Sequence, residues 1–228
     1  MCGITGYINE ESVEQKKDTL QKMMDRIVHR GPSSAGMYVD EYAALGFRRL
    51  SIIDLEGGDQ PIYNETNDLI ITFNGEIYNY RALRQMLTEK GHIFKTNSDT
   101  ETILHGYEEF GKEVLHYLRG MFAFVIWDKK KKLLFGARDH FGIKPLYYAY
   151  MNHTFLYASE IKSLLENPAF EKILNKDALR PYLTYQYSAL DETFFKGVFK
   201  LPEGHYFCYE NNALKITKYF KKEKYIPS

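Results

Sequence analysis

Cysteine is scarce in this chain: two thiols, Cys2 and Cys208, stand near opposite ends of 228 residues. Disulfide scaffolds carry more cysteines in shorter chains. The fold must therefore rest on a hydrophobic core, and a chain of this length can bury one. An excess of either charge is also missing, since 30 Lys and Arg balance 30 Asp and Glu. Nucleic-acid surfaces draw on a basic excess, so no such partner is expected. No apolar run reaches membrane-spanning length, and the N-terminus lacks the basic and apolar regions of a secretory signal. The expected setting is the cytoplasm, without membrane contact. Repeats and low-complexity segments are lacking too, and the length suits one large domain.

What is present is a strand-forming composition, with 19 Tyr and 15 Phe among 44% hydrophobic residues. Gly3 to Asn9 reads as a short apolar strand. From Ser12 a helical stripe follows through Val13, Leu20, Met23, Met24, Ile27 and Val28, closed by Gly31-Pro32. Ala43 to Ile53 reads as a strand whose alternation sends Arg48 and Arg49 to opposite faces, so that one must turn inward to a partner. Glu56-Gly57-Gly58-Asp59 is a turn, not a phosphate loop. Asp68 to Phe73 reads as a strand ending at Asn74-Gly75, with a helix opened by Asn79 and closed by Gly91. That reading puts Asn74-Gly75-Glu76 between a strand and a helix, where backbone donors converge on anions. Ser98-Asp99-Thr100-Glu101 has the pattern of a capping box, which does not require Asp99.

Downstream, Met121–Trp127 and Leu133–Ala137 flank a lysine-rich turn, and Pro145–Tyr150 pairs with Thr154–Ala158 around Asn152-His153. Ser159-Glu160 is read as capping a short helix, and another helix starts at Asn175. A last hairpin joins His205–Tyr209 to Leu214–Tyr219. Cys208 is a small apolar strand residue. Hairpins interspersed with helices predict an α+β fold of antiparallel sheets covered by helices.

Cys2 is the residue with the most chemistry to offer. Once Met1 is removed it carries a thiol and a free α-amine, and such N-terminal nucleophiles are activated by their own amine. While Met1 stays attached, that nitrogen lies in a peptide bond and cannot serve as a base. Position alone favours the plainer reading, the second residue of an ordinary buried strand.

Five blocks occur in order: Cys2-Gly3-Ile4-Thr5-Gly6, His29-Arg30-Gly31-Pro32, Arg49-Leu50-Ser51-Ile52-Ile53-Asp54, Asn74-Gly75-Glu76-Ile77-Tyr78-Asn79 and Ser98-Asp99-Thr100-Glu101. Together they resemble the glutaminase domain of the class II glutamine amidotransferases, most of all its asparagine synthetase branch. The resemblance implies a four-layer αββα sandwich of the N-terminal-nucleophile hydrolase type over residues 2–220. Residues 221–228 would be a tail or the start of a linker. It implies hydrolysis of glutamine through a Cys2 thioester, with the Asn74 amide and the Gly75 N–H stabilising the oxyanion. It further implies that Arg49 grips the substrate α-carboxylate, that Glu76 and Asp99 receive its ammonium, and that Ile52 and Ile53 add backbone contacts. Arg30 is expected to be structural. Gly136 to Tyr147 also resembles this branch, where it faces the second domain; a buried Arg138–Asp139 pair is the plain alternative.

No metal or cofactor is expected in this chain. The Ser-Gly-Gly-x-Asp-Ser loop by which asparagine synthetases bind ATP is missing, so ATP and magnesium belong to a C-terminal synthetase domain or subunit that the sequence does not contain. The chain reads either as part of such a protein or as a free-standing subunit, with a homodimer left open. Two other readings remain: delivery of ammonia to a different acceptor, or a catalytically silent module of the same fold.

Overall fold

The computed structural model describes residues 1–50, 58–187 and 190–221. The strands are β1 (Gly3–Ile8), β2 (Ser34–Val39), β3 (Ala43–Arg49), β4 (Ile62–Tyr63), β5 (Leu69–Ile77), β6 (Gly120–Asp128), β7 (Leu133–Arg138), β8 (Tyr147–Met151), β9 (Thr154–Ala158), β10 (Val198–Lys200), β11 (His205–Glu210) and β12 (Ala213–Lys218). The helices are α1 (Val13–Asp25), α2 (Tyr80–Glu89), α3 (Asp99–Phe110), α4 (Val114–Tyr117), α5 (Ile161–Leu164) and α6 (Lys176–Tyr185). Two six-stranded sheets result, ordered β10-β8-β9-β1-β3-β2 and β12-β11-β7-β6-β5-β4. All their pairings are antiparallel.

Strand alternation divides the core into three seams. On β5, Ile71, Phe73 and Ile77 pack toward Leu83 of α2 and Ile103, Leu104 and Tyr107 of α3. Ile70, on the other face, joins Ile4, Phe47, Trp127, Phe155 and Phe207 between the sheets. Leu20, Met23 and Met24 of α1 cover the far side of the first sheet against Tyr7, Ala44 and Leu156. Helix, sheet, sheet, helix is the order, so the fold is the four-layer α+β sandwich. Each fully buried Phe or Leu in these seams contributes roughly 1.5–3 kcal/mol.

Several local expectations are corrected. β5 does not stop at Phe73 but continues through Asn74, Gly75 and Glu76 to Ile77, because β6 pairs with it along that whole length. The Asn-Gly pair is therefore neither a turn nor a strand–helix junction. Ser98 caps α3 by accepting from the Thr100 N–H at 3.1 Å, but the capping box is not completed. Glu101 instead accepts from the Lys95 and Thr96 N–H groups, at 2.7 Å each, and so ties down the preceding loop. Ser159 does not cap α5; its hydroxyl accepts from the Ile4 N–H at 3.0 Å, pinning β1 to the end of β9. β2 and β10 were not foreseen. A capping box does form at Ser12 and Gln15, where α1 begins.

Arg138 and Asp139 are both buried, though not as a mutual pair. Arg138 donates to the carbonyls of Gly142, Lys144 and Leu201, and Asp139 accepts from the N–H groups of Phe122, Phe141, Ile143 and Lys144. The two charges together lock the 139–144 turn onto the second sheet. No helix among the described residues is long and apolar enough to cross a membrane.

Candidate active site

The N-terminal end of β1 brings Cys2 to the mouth of a cavity of about 130 Å³ between the sheets. Its Sγ accepts from the Leu50 N–H at 3.4 Å. Arg30 fixes the backbone here: its Nε donates to the Cys2 carbonyl at 2.9 Å and its Nη1 to Glu160 at 3.0 Å. Burial favours the neutral form of Glu160, but His29, Arg30 and Lys162 outweigh it and hold the carboxyl at about 2. Arg30 is thus a brace beneath the thiol, as expected.

Arg48 and Arg49 do take opposite faces. Arg48 turns out to Asp25 and the Met24 carbonyl, whereas Arg49 is buried on the cavity wall with Nη1 3.0 Å from a carboxylate oxygen of Asp59. Asp59 is itself 71% exposed.

β5 forms the opposite wall, and its hydrogen-bond alternation does the positioning. Even-numbered residues bond to β6, as the flanking contacts Lys129 N–H to Asp68 O and Tyr78 N–H to Arg119 O require. Phe73, Gly75 and Ile77 therefore direct their backbone groups to the other edge, where β4 is too short to reach them. Gln60 replaces the missing strand at Phe73, bonding both its N–H (2.6 Å) and its C=O (3.2 Å). Asp99 does so at Ile77, accepting its N–H at 2.8 Å. Gly75 lies between these two and presents its N–H to the cavity. Only glycine fits there, since a Cβ would stand 2.2 Å from the Met121 carbonyl oxygen.

Asn74, on the alternate face of β5, points between the sheets, with its side chain 2% exposed. Its Nδ2 is buried without a hydrogen-bond partner. Nearly all buried donors are paired, so this one marks a position for an acceptor. Glu76 and Asp99 complete the wall. Burial first, and the neighbouring Glu76 charge next, push the Asp99 carboxyl up to about 6, against the opposing Ile77 N–H bond.

That shift has a consequence for stability. The carboxyl ionises near 3.8 when solvated and near 6 in the fold. Below pH 4 it is protonated in both states and costs nothing; the penalty grows from pH 4 to 6 and is complete above. Asp99→Asn should therefore stabilise the fold by up to about 3 kcal/mol at pH 7.5 and by little at pH 4. Urea unfolding of both proteins at both pH values measures this, and an equal change at both would contradict it.

Cys2, Arg49, Asn74, Gly75, Glu76 and Asp99 thus line one cavity. Ile52 and Ile53 lie outside the described residues, as do Glu56 and Gly57 of the turn that follows. Sequence reasoning missed Gln60, whose only signal was an amide before Pro61, and the part played by Lys144. The Gly136–Tyr147 segment was expected to face away from the thiol. Phe141 and Ile143 do stand exposed, but Lys144 is buried on the cavity wall with Nζ 3.4 Å from the Met1 sulfur.

The chain matches the family described as "Glutamine amidotransferase domain" over residues 1–220. It is 44% identical to asparagine synthetase [glutamine-hydrolyzing] 1 of Bacillus subtilis over 225 residues, 97% of this chain and 35% of that protein. With asparagine synthetase [glutamine-hydrolyzing] 3 of Arabidopsis thaliana it shares 42% over 169 residues, 73% of this chain and 29% of the relative. It spans about a third of the length of such curated relatives. Among solved structures, the allosteric regulatory enzyme of purine biosynthesis superposes with a TM-score of 0.70 at 20% identity, over 96% of this chain and 49% of that one. The glutamine phosphoribosylpyrophosphate amidotransferase of B. subtilis does so at 0.65 and 19%, with the same coverage. Those two likenesses concern the fold. With the family match across nearly its whole length, the chain belongs to the class II glutamine amidotransferase domains.

Proposed function

We propose that this domain, once Met1 is excised, hydrolyses glutamine to glutamate and ammonia through a thioester on Cys2. The observation that carries this reading is the buried, unpartnered Asn74 amide in the cavity that holds the Cys2 sulfur. Acyl transfer needs a nucleophile and a donor already in place for the oxygen that becomes negative. The freed Cys2 amine takes the thiol proton. The resulting thiolate attacks the side-chain carbonyl carbon of glutamine, and the oxygen takes up the negative charge facing the Asn74 Nδ2 and the Gly75 N–H. Collapse expels ammonia, with the proton returned by the amine, and water then cleaves the thioester to glutamate.

The α-groups of the substrate have their counterparts in the same wall. Arg49 offers a planar two-bond grip to the α-carboxylate in place of the exposed Asp59. Glu76 and Asp99 supply negative charge for the ammonium. Binding it requires an ionised Asp99, so the KM for glutamine rises as pH falls through about 6.

Ammonia would then serve ATP-dependent amidation of aspartate in a C-terminal synthetase domain, in keeping with relatives named as glutamine-hydrolysing asparagine synthetases. Phe141 and Ile143, 67% and 56% exposed, offer an apolar surface beside the site for such a neighbour to cover. The proposed setting is the cytoplasm, where Cys2 and Cys208, both unpaired, stay reduced.

The test incubates the Met1-processed chain with glutamine, ATP, magnesium and aspartate, and follows glutamate, ammonia and asparagine separately. Glutamate and ammonia in equal amounts, unaffected by omitting ATP and aspartate, are the expected products. No glutamate above the uncatalysed rate refutes the reading, and asparagine from this chain alone would mean that it also holds a synthetase site.

A further inference from the structure

A second cluster of reactive side chains lies on the outer helix layer, away from the cavity. Glu65 comes from the turn before β5, His92 from the loop after α2, and His105 and Glu108 from successive turns of α3. One ligand atom from each falls within 4.8 Å of all the others. We propose that these four residues form a structural zinc site.

The spacing is wrong for hydrogen bonds and right for a shared ion. His105 Nδ1 lies 3.4 Å from Glu65 Oε2 and 3.5 Å from Glu108 Oε2. His92 Nδ1 lies 3.8 Å from the same Glu108 oxygen, a few tenths of an ångström farther out. A tetrahedral zinc with bonds of 2.0–2.2 Å to nitrogen and oxygen holds its ligands about 3.3–3.5 Å apart. His105 is completely buried, and neither of its ring nitrogens has a hydrogen-bond partner; nor has Glu65 Oε2. A buried acceptor and an unpartnered buried imidazole facing one point are costly without a cation between them.

The surroundings are arranged as outer partners of a metal site. The oxygens of Glu65 and Glu108 not aimed at the centre are held elsewhere, Glu65 Oε1 by the Ile93 N–H at 2.8 Å and Glu108 Oε1 by the Asn64 amide at 3.0 Å. With both imidazoles binding through Nδ1, each Nε2 faces a further carboxylate at 3.5 Å: Glu109 for His92 and Glu101 for His105. Carboxylates in that place fix the tautomer and strengthen the ligand. Four protein ligands leave no open position, so the ion would clasp α3 to the 65 turn and the 92–95 loop, without catalysis. α3 carries Asp99 at its first turn, and the clasp would hold that end against the cavity.

The experiment uses the whole chain, stripped with EDTA, dialysed and then titrated with zinc sulfate. One zinc per chain after gel filtration is expected, with a rise in Tm of roughly 5 °C or more at a hundredfold excess over Kd. Cobalt in its place should give the intense visible absorption of a tetrahedral ion. His92→Gln and Glu108→Gln, at positions nearer the surface than His105, should keep the metal-free Tm yet lose the zinc shift and the cobalt bands. Less than about one-fifth of a zinc per chain, or equal zinc uptake by wild type and both variants, would overturn the site. None of these readouts involves glutamine.

Discussion

Cys2→Ala is expected to abolish release of ammonia from glutamine while leaving the fold in place. The change removes one sulfur from a partly buried residue whose Sγ, among the described residues, makes only long hydrogen-bond contacts, to the Leu50 backbone. The cost to stability should stay within about 1 kcal/mol. Arg30 still bonds the residue-2 carbonyl, and Ser159 still bonds the Ile4 N–H, so β1 keeps its place. The chemistry has no substitute nucleophile: Cys208 lies on β11, where burial first and the Glu210 charge next push its thiol up. Loss of a nucleophile from comparable machinery lowers turnover on the order of 10⁴–10⁶-fold. Ammonia and glutamate should therefore fall to background in the variant, with Tm nearly unchanged. Turnover within tenfold of wild type would show that the thiol is not the attacking group, whatever the role of its neighbours.

How legible this was in the chain differs between the fold and the site. The hairpins were readable because their turns carry the residues that left-handed backbone requires; Asn152, His153, Asn211 and Asn212 all have positive φ. The layer order was not. Periodicity shows which face of β5 is buried, but Ile70 and Ile71 are both fully buried, one in each seam, so alternation alone does not say what covers either face. Asn74-Gly75 was misread as a strand–helix junction because a helix opens soon after it, whereas β5 runs on to Ile77; here glycine is required by close approach to Met121, a contact between residues far apart in sequence. The cavity residues were recognisable as ordered blocks, but their geometry was not, since it depends on Gln60 and Asp99 standing in for a strand that β4 does not supply. The zinc ligands left the faintest trace. His105 and Glu108 have helical spacing, but Glu65 and His92 arrive from two separate loops, and no short spacing motif joins the four.

The Asn74→Ala substitution distinguishes a residue held for the transition state from one held for the fold. In the folded chain the Asn74 Nδ2 is a buried donor without an acceptor, a condition that costs about 1–3 kcal/mol. Truncation to alanine removes that penalty and opens a small polar void, and the two effects oppose each other. Tm should consequently change little, which is unusual for a side chain only 2% exposed. Activity should respond very differently. The glutamine carbonyl in the ground state needs little from this donor, but the tetrahedral intermediate places a full negative charge beside it. Loss of one oxyanion donor lowers kcat by roughly 10²–10³-fold. Gly75 remains in position to donate, since its N–H orientation is set by the β5–β6 register and not by the Asn74 side chain. The expected signature is a large fall in kcat with KM within a few-fold of wild type and an unchanged melt. A rise in KM with kcat preserved would instead assign Asn74 to holding the bound amide. Should Tm collapse together with kcat, the free amide is a structural element of the inter-sheet seam, and the oxyanion would have to rest on Gly75 alone.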